Sequence, residues 1–355
     1  MIFGIVAMSL AILLVMNQAA AAGSIGSNSS NKINSNLSAE EYDKLKNCTT
    51  DTDKRPNSIE YLTHFNCGRV SQTTAADGSK TTLREFTIIV RENQQIPISD
   101  EGHFLDAWTF NGTVPGPTIR MTEGDLVRIT VINDKNNEHA HTMHMHSIHK
   151  SEMDGVFEIV NPGGRFIYEF YAEQFGVYPY HCHVMPLEEH ISRGLYGAYI
   201  VDPKDSPRPD ADEMVMIMNG YDTDFDTENN FYTVNGVPYY YMHHPIEIEK
   251  DRLIRVYLVN MLEFDQINNF HLHGNLYNLY RSGTSLEPGE LTDMVTMSQG
   301  ERGILEFSYN YPGQYMFHAH KTEFAEKGWM GMFSVKDGSN STAPESLPHY
   351  SGGSG

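Results

Sequence analysis

Four His-x-His pairs, set in two halves that repeat one another, constrain this 355-residue chain more than any other feature. His144-Met145-His146 is matched by His271-Leu272-His273, and His181-Cys182-His183 by His318-Ala319-His320, in the same order. Around them, Phe110-Asn111-Gly112 ahead of Glu123-Gly124-Asp125-Leu126-Val127-Arg128-Ile129 recurs as Val234-Asn235-Gly236 ahead of Glu249-Lys250-Asp251-Arg252-Leu253-Ile254-Arg255. Two domains of one ancestry are the economical reading. In an extended strand residues i and i+2 point to one side, so each pair offers two imidazoles to one volume. Eight neutral imidazoles suit a borderline metal such as copper, at a count that fits several ions and not one.

The segments carrying these pairs read as an all-β chain. Short β-type runs separated by Gly, Pro, Asn and Asp cover Phe86–Val90, Leu126–Ile132, Phe166–Tyr171 and Tyr196–Val201. After the Pro/Asp-rich stretch Asp202–Asp212 they resume at Met214–Met218, Leu253–Val259, Ile304–Tyr309 and Met330–Val335. In Leu126–Ile132, Val127, Ile129 and Val131 share one face opposite Arg128 and Thr130, the period of a half-buried sandwich strand. The expected division is an export signal or N-terminal anchor over 1–22, a polar extension over 23–80, sandwich domains over 81–205 and 206–340, and a tail over 341–355 that closes on a Ser-Gly-Gly-Ser-Gly linker. The signal reading rests on the apolar run Ile2–Met16 followed by Ala19-Ala20-Ala21-Ala22-Gly23-Ser24. Residues 24–38 are Ser/Asn-rich and read as a solvated lead-in. An extracytoplasmic location follows, where Cys48 and Cys67 either close a disulfide or stay free thiols. The formal net charge of −21 argues against a nucleic-acid partner, because phosphates repel such a surface.

Cys182 lies inside a histidine pair, and its side chain points opposite to those of His181 and His183. A metal bound at its sulfur stands across the strand from the histidine-bound metals, one residue away, which is a built-in electron path. Such a site needs two more histidines and usually a weak axial ligand, the trigonal arrangement of blue copper. His190 follows eight residues later, and His141 precedes His144 by three. Leu195 falls at the axial position; a side chain that donates nothing there raises the reduction potential. His139 and His149 lack a partner at ligand spacing and read as solvated or as standing behind the ligands.

Together, Thr109-Phe110-Asn111-Gly112-Thr113-Val114-Pro115-Gly116-Pro117-Thr118-Ile119-Arg120, Glu123-Gly124-Asp125, His141 to His146, His181-Cys182-His183 with His190 and Leu195, His271-Leu272-His273-Gly274 and His318-Ala319-His320 resemble a two-domain, laccase-like multicopper oxidase over roughly residues 83–336. With Ala319 in the second half where the first has Cys182, the chain is similar to the subgroup whose blue copper sits in the N-terminal domain alone. The resemblance implies two tandem cupredoxin-like Greek-key β-sandwiches and a homotrimer with a trinuclear copper cluster at each subunit interface. A head-to-tail contact between unlike half-sites closes into a ring that completes every site. It implies four coppers per subunit: type 1 on His141, Cys182 and His190 with Leu195 axial; type 2 on His144 and His271; and the type 3 pair on His146, His181, His183, His273, His318 and His320. Asp154 stands where related oxidases place a proton-relaying acid, and a turn-forming Asp before Gly155 is the other reading. Glu188 and Glu189 read as solvated loop charges ahead of a guide for a cationic donor.

The activity implied is one-electron oxidation of a donor through the exposed edge of His190, with electrons passing by Cys182 to His181 and His183 and dioxygen reduced to water. Donors in view are phenols, a metal ion such as Cu(I), small nitrogen compounds or a partner cupredoxin. The chain also resembles copper nitrite reductases, which hold one type 2 copper on three histidines and a catalytic Asp where this chain has His144. A non-enzymatic copper carrier is the alternative of another class, suggested by Met143, Met145, Met153 and Met185. The sequons at Asn111 and Asn340 are candidate glycosylation sites.

Overall fold

The computed structural model describes residues 48–49, 59–75, 77–99 and 102–338. The expected signal or anchor over 1–22, the lead-in over 24–38, the tail over 341–355 and the Asn340 sequon lie outside the described residues. Each half of the described chain folds as two packed sheets. In the first, Lys80–Pro97 pairs parallel with Leu126–Asn133, which pairs antiparallel with Arg165–Tyr171; the facing sheet carries Thr118–Thr122, Tyr196–Asp202, Gly176–His181 and His144–Met145. The second half repeats the pattern: Asp212–Tyr221 lies parallel to Ile254–Asn260, which pairs antiparallel with Arg302–Phe307, opposite a sheet of Ile246–Glu249, Met330–Lys336, Gly313–His318, Asn268–Leu272 and Met294–Met297. The expected all-β sandwich pair is the observed fold.

The repeated Asn-Gly motif has a structural job in both halves. Asn111 and Asn235 sit at φ 58° and 55°, a left-handed conformation that Asn tolerates. The Asn111 side chain accepts from the Ile89 amide and donates to the Thr87 carbonyl; Asn235 does the same with Ile217 and Val215. Asn111 is therefore buried and occupied, which removes its sequon as a glycan acceptor.

Strands Tyr196–Asp202 and Ile254–Asn260 are buried at every position. Their two faces serve different cores, so residues 196–201 and 256–259 read as continuous apolar runs rather than alternating ones. Tyr199 and Val201 face the first domain's interior with Cys182 and Leu195, and Val256 and Leu258 face the second domain's interior with Trp329. The opposite faces meet between the domains, where Tyr196, Ala198 and Ile200 pack with Val215, Ile217, Tyr257 and Val259. The segment read as a polar extension joins this core through Tyr61, Phe65 and Cys67, while Leu62 enters the second domain. Cys48 and Cys67 are joined in a disulfide.

A buried charge ladder crosses the same interface. Asp202 receives two bonds from Arg120 at 2.7 and 2.8 Å; Arg120 and Arg255 each lie 2.9 Å from Glu213; Arg255 reaches Glu306 at 2.6 Å. Removing the shared acid takes one carboxylate from each of two buried guanidinium groups, leaving Arg120 on Asp202 and Arg255 on Glu306. Glu213→Ala is expected to destabilise the protein by about 3–5 kcal/mol, read as a lowered thermal midpoint. A midpoint equal to that of the wild type contradicts the ladder's role.

Candidate metal centres

The centres sit where strands end. In the first domain His144 pairs across strands with His181, and in the second His271 pairs with His318. The antiparallel register thus sets one member of each His-x-His pair beside one of the other. The remaining members lie just past the ladders: His183 is 5.1 Å from His144, and His320 is 5.3 Å from His271, ring centre to ring centre. Ligand atoms of His144, His146 and His181 lie within 4.8 Å of one another, as do those of His271, His273 and His318. All eight expected ligands are accordingly gathered into two matching groups of four, the first half-buried and the second more open.

Backbone carbonyls fix which nitrogen faces the group. His144 Nδ1 donates to Asp154 O at 2.7 Å, His181 Nδ1 to Cys182 O at 2.8 Å, His271 Nδ1 to Asp293 O at 3.0 Å, and His318 Nδ1 to Ala319 O at 2.7 Å. Each neutral ring then carries a bare Nε2. His146 and His181 bring their Nε2 atoms to 3.2 Å, and His273 and His318 theirs to 2.9 Å. Burial and the neighbouring imidazoles push His146 down to about 3; burial takes His181 to about 4 and lowers His144, His273 and His318. Neutral imidazoles with converging lone pairs are the form that binds a metal, so the donor set fits copper.

Behind the first group, the 3-10 turn Ser151–Met153 ends on Asp154, whose Oδ1 lies 3.5 Å from His144 Nδ1 and 3.7 Å from His149 Nε2. Asp154 is thus both the turn residue and a carboxylate beside a ligand. Asp293 repeats this placement at His271, with Oδ2 3.7 Å from Nδ1; no spacing in the sequence marks it. Gly155 closes the turn at φ +75°, and a Cβ there would stand 2.1 Å from the Met143 carbonyl oxygen. Gly155→Ala is expected to shift the turn and His144 with it, costing about 1–3 kcal/mol and part of the copper held by the first group. Thermal melts with copper analysis check this; full copper with an unchanged melt contradicts it.

On the other side of the strand, His141, Cys182 and His190 form a third group, all three side chains buried. The Cys182 amide bonds to Leu195 O and the Leu195 amide to His190 O, so the loop folds back over its own ligands. His190 Nδ1 is 3.1 Å and His141 Nδ1 3.8 Å from Cys182 Sγ. Burial raises the Cys182 thiol and takes His190 to about 3. Leu195 is fully buried in the same apolar cluster and donates nothing. Two imidazole nitrogens and one cysteine sulfur in a buried apolar setting fit copper.

The expected exposed edge of His190 is absent, for the side chain is 2% exposed. Trp108 covers it at 4.8 Å and covers His141 at 5.4 Å; Arg193 lies over Trp108, and Phe225 of the second domain over Arg193. Glu189 pairs with Arg193 at 3.0 Å, and Glu188 is exposed. His139 and His149 lie outside the three groups: His149 Nε2 donates to Met145 O, and His139 bonds to Glu92. Glu92 is the residue that sequence reasoning missed. Its carboxylate is buried behind His141 at 2.7 Å, 49 positions away in sequence.

Comparisons with known proteins find copper oxidoreductases. The sequence pattern of the multicopper oxidase family matches residues 92–206 and again 208–339. A copper-containing nitrite reductase of Neisseria meningitidis serogroup A is 27% identical over 261 residues, covering 68% of this chain and 67% of that protein. The chain spans about two thirds of the length of such curated relatives. A crystal structure described as a multicopper oxidase superposes with TM-score 0.74 at 48% identity, covering 78% of this chain and 96% of that one. A copper nitrite reductase from Nitrosomonas europaea superposes with TM-score 0.67 at 28% identity, covering 73% and 95%.

Proposed function

The chain belongs to the multicopper oxidase family, a copper oxidoreductase family with copper nitrite reductases among its relatives, and from that premise we propose that it oxidises a donor one electron at a time and reduces dioxygen to water. The observation that carries this reading is the pair of matching four-imidazole groups, the first half-buried and the second more open. Eight imidazoles exceed what one three-histidine copper needs. Copper, when bound, supplies single-electron chemistry at the sulfur site and multi-electron reduction of oxygen at the histidine site.

The chain's own residues supply the rest. His141, Cys182 and His190 hold the first ion under an apolar lid, with Leu195 withholding a fourth donor. The covalent backbone joins the Cys182 sulfur to His181 and His183, a continuous bonded route between the two kinds of site. Asp154 holds a carboxyl group 3.5 Å from His144 with a third of its side chain in solvent, placed to pass protons inward from water. Trp108 and Arg193 put the donor's contact surface outside the His190 ring rather than on it.

The two groups act as complementary halves, and a ring of three subunits closes each first-domain half on a second-domain half. The Cys48–Cys67 disulfide supports an oxidising compartment, in keeping with an export signal over 1–22.

His144 is an imidazole with its tautomer set by Asp154 O, where the reductases that the chain resembles use a carboxylate. The test is turnover of the copper-loaded enzyme with a one-electron donor, given dioxygen and nitrite in turn. Oxygen uptake with nitrite untouched is expected; nitric oxide formation without oxygen uptake overturns the reading.

A further inference from the structure

Among the buried acids of the described residues, Glu92 and Asp222 have no arginine partner, and Asp222 is met by backbone amides alone whereas Glu92 also meets two imidazoles. Asp125, Asp202 and Glu306 each answer to a buried arginine. Glu92 is paired with none among the described residues. Its oxygens accept four hydrogen bonds: from the Glu138 amide at 3.0 Å, the His139 amide at 2.9 Å, His139 Nδ1 at 3.1 Å and His141 Nε2 at 2.7 Å. Burying a carboxylate costs several kcal/mol unless its lone pairs are met, and here the partners are all donors, so the group is an acceptor-only anion. The strand Lys80–Pro97 shifts register between Arg91 and Gln94, an irregularity of the kind that re-aims a side chain, and Glu92 lies within it.

The bond to His141 has two consequences. It assigns the proton to Nε2 and leaves Nδ1 bare toward Cys182 Sγ. It also sets a fixed negative charge directly behind one metal ligand. A carboxylate partner makes the imidazole a stronger donor, and both effects favour the more positive, oxidised ion.

We propose that Glu92 is a positioning residue of the sulfur site, which locks His141 for ligation and lowers the reduction potential that Leu195 raises. The potential is then a balance of two opposed devices, a withheld ligand on one side and a buried anion on the other. This rests on the reading of His141, Cys182 and His190 as a blue copper site.

The test is a redox titration of the copper-loaded protein against a one-electron mediator, followed through the visible thiolate–copper band. In Glu92→Gln the equilibrium is expected to move toward reduced copper by about tenfold or more, which is ~59 mV for a one-electron couple. Glu92→Asp keeps the charge at a shorter reach and is expected to move it the same way by about threefold. If the glutamine variant does not load, the aspartate variant decides. A loaded variant whose potential matches the wild type, or moves the other way, overturns the inference while the blue copper reading stands. A wild type that loads copper without developing the band overturns both.

Discussion

Cys182→Ser is expected to abolish the visible thiolate–copper band and to lower donor oxidation by about a thousandfold or more, equivalent to roughly 4 kcal/mol of barrier. The copper held by the two imidazole groups stays. The sulfur is the donor that makes the trigonal site, and His141 and His190 alone offer two nitrogens against an apolar wall. Serine also breaks the short route to His181 and His183. A carrier would lose one ion and keep its ability to exchange the others, so the two readings separate on turnover. Absorption spectra and donor kinetics check the result, and a variant that retains turnover within tenfold contradicts the electron path.

His318→Ala has the second large effect. His318 lies across the strand from His271, holds its Nε2 2.9 Å from that of His273, and keeps its other nitrogen on Ala319 O. Alanine removes the bare nitrogen at the centre of the second group. Oxygen uptake is expected to fall by about a thousandfold, with loss of about one to two coppers per subunit, while the visible band persists. This outcome requires that the second domain complete the oxygen site even though its histidines are distant in sequence from Cys182. Unchanged copper and uptake would make the second group a spectator.

The parts of the molecule that the sequence made legible are those written in local spacing. Period-two histidines at strand ends become clustered imidazoles because the strand itself supplies the alternation, and the repeated order of the pairs announces the repeated domains. Tyr196–Val201 was legible as a strand because burial on both faces leaves an unbroken apolar run. The long strand Lys80–Pro97 was legible only in its middle, Phe86–Val90, since Arg91, Glu92, Asn93 and Gln94 follow and a polar run with a register shift hides its periodicity. Glu92 and Asp293 support ligands 49 and 22 residues away, separations that only the folded sheets bring together. Trp108 was not singled out in the sequence, because its cover over His190 joins positions 82 residues apart, and that cover moves the donor's approach away from the ring edge. The part played by Tyr61, Leu62 and Phe65 was hidden because three apolar residues in a polar stretch have no period of their own.

The reading as a whole stands on how many ions the histidines hold. Elemental analysis of the fully loaded protein, with oxygen uptake recorded on the same sample, measures it directly. About four coppers per subunit with oxygen consumed is the expected result, one ion on Cys182 and three shared by the eight imidazoles. About two coppers per subunit, with nitrite turned over and no oxygen uptake, would contradict it.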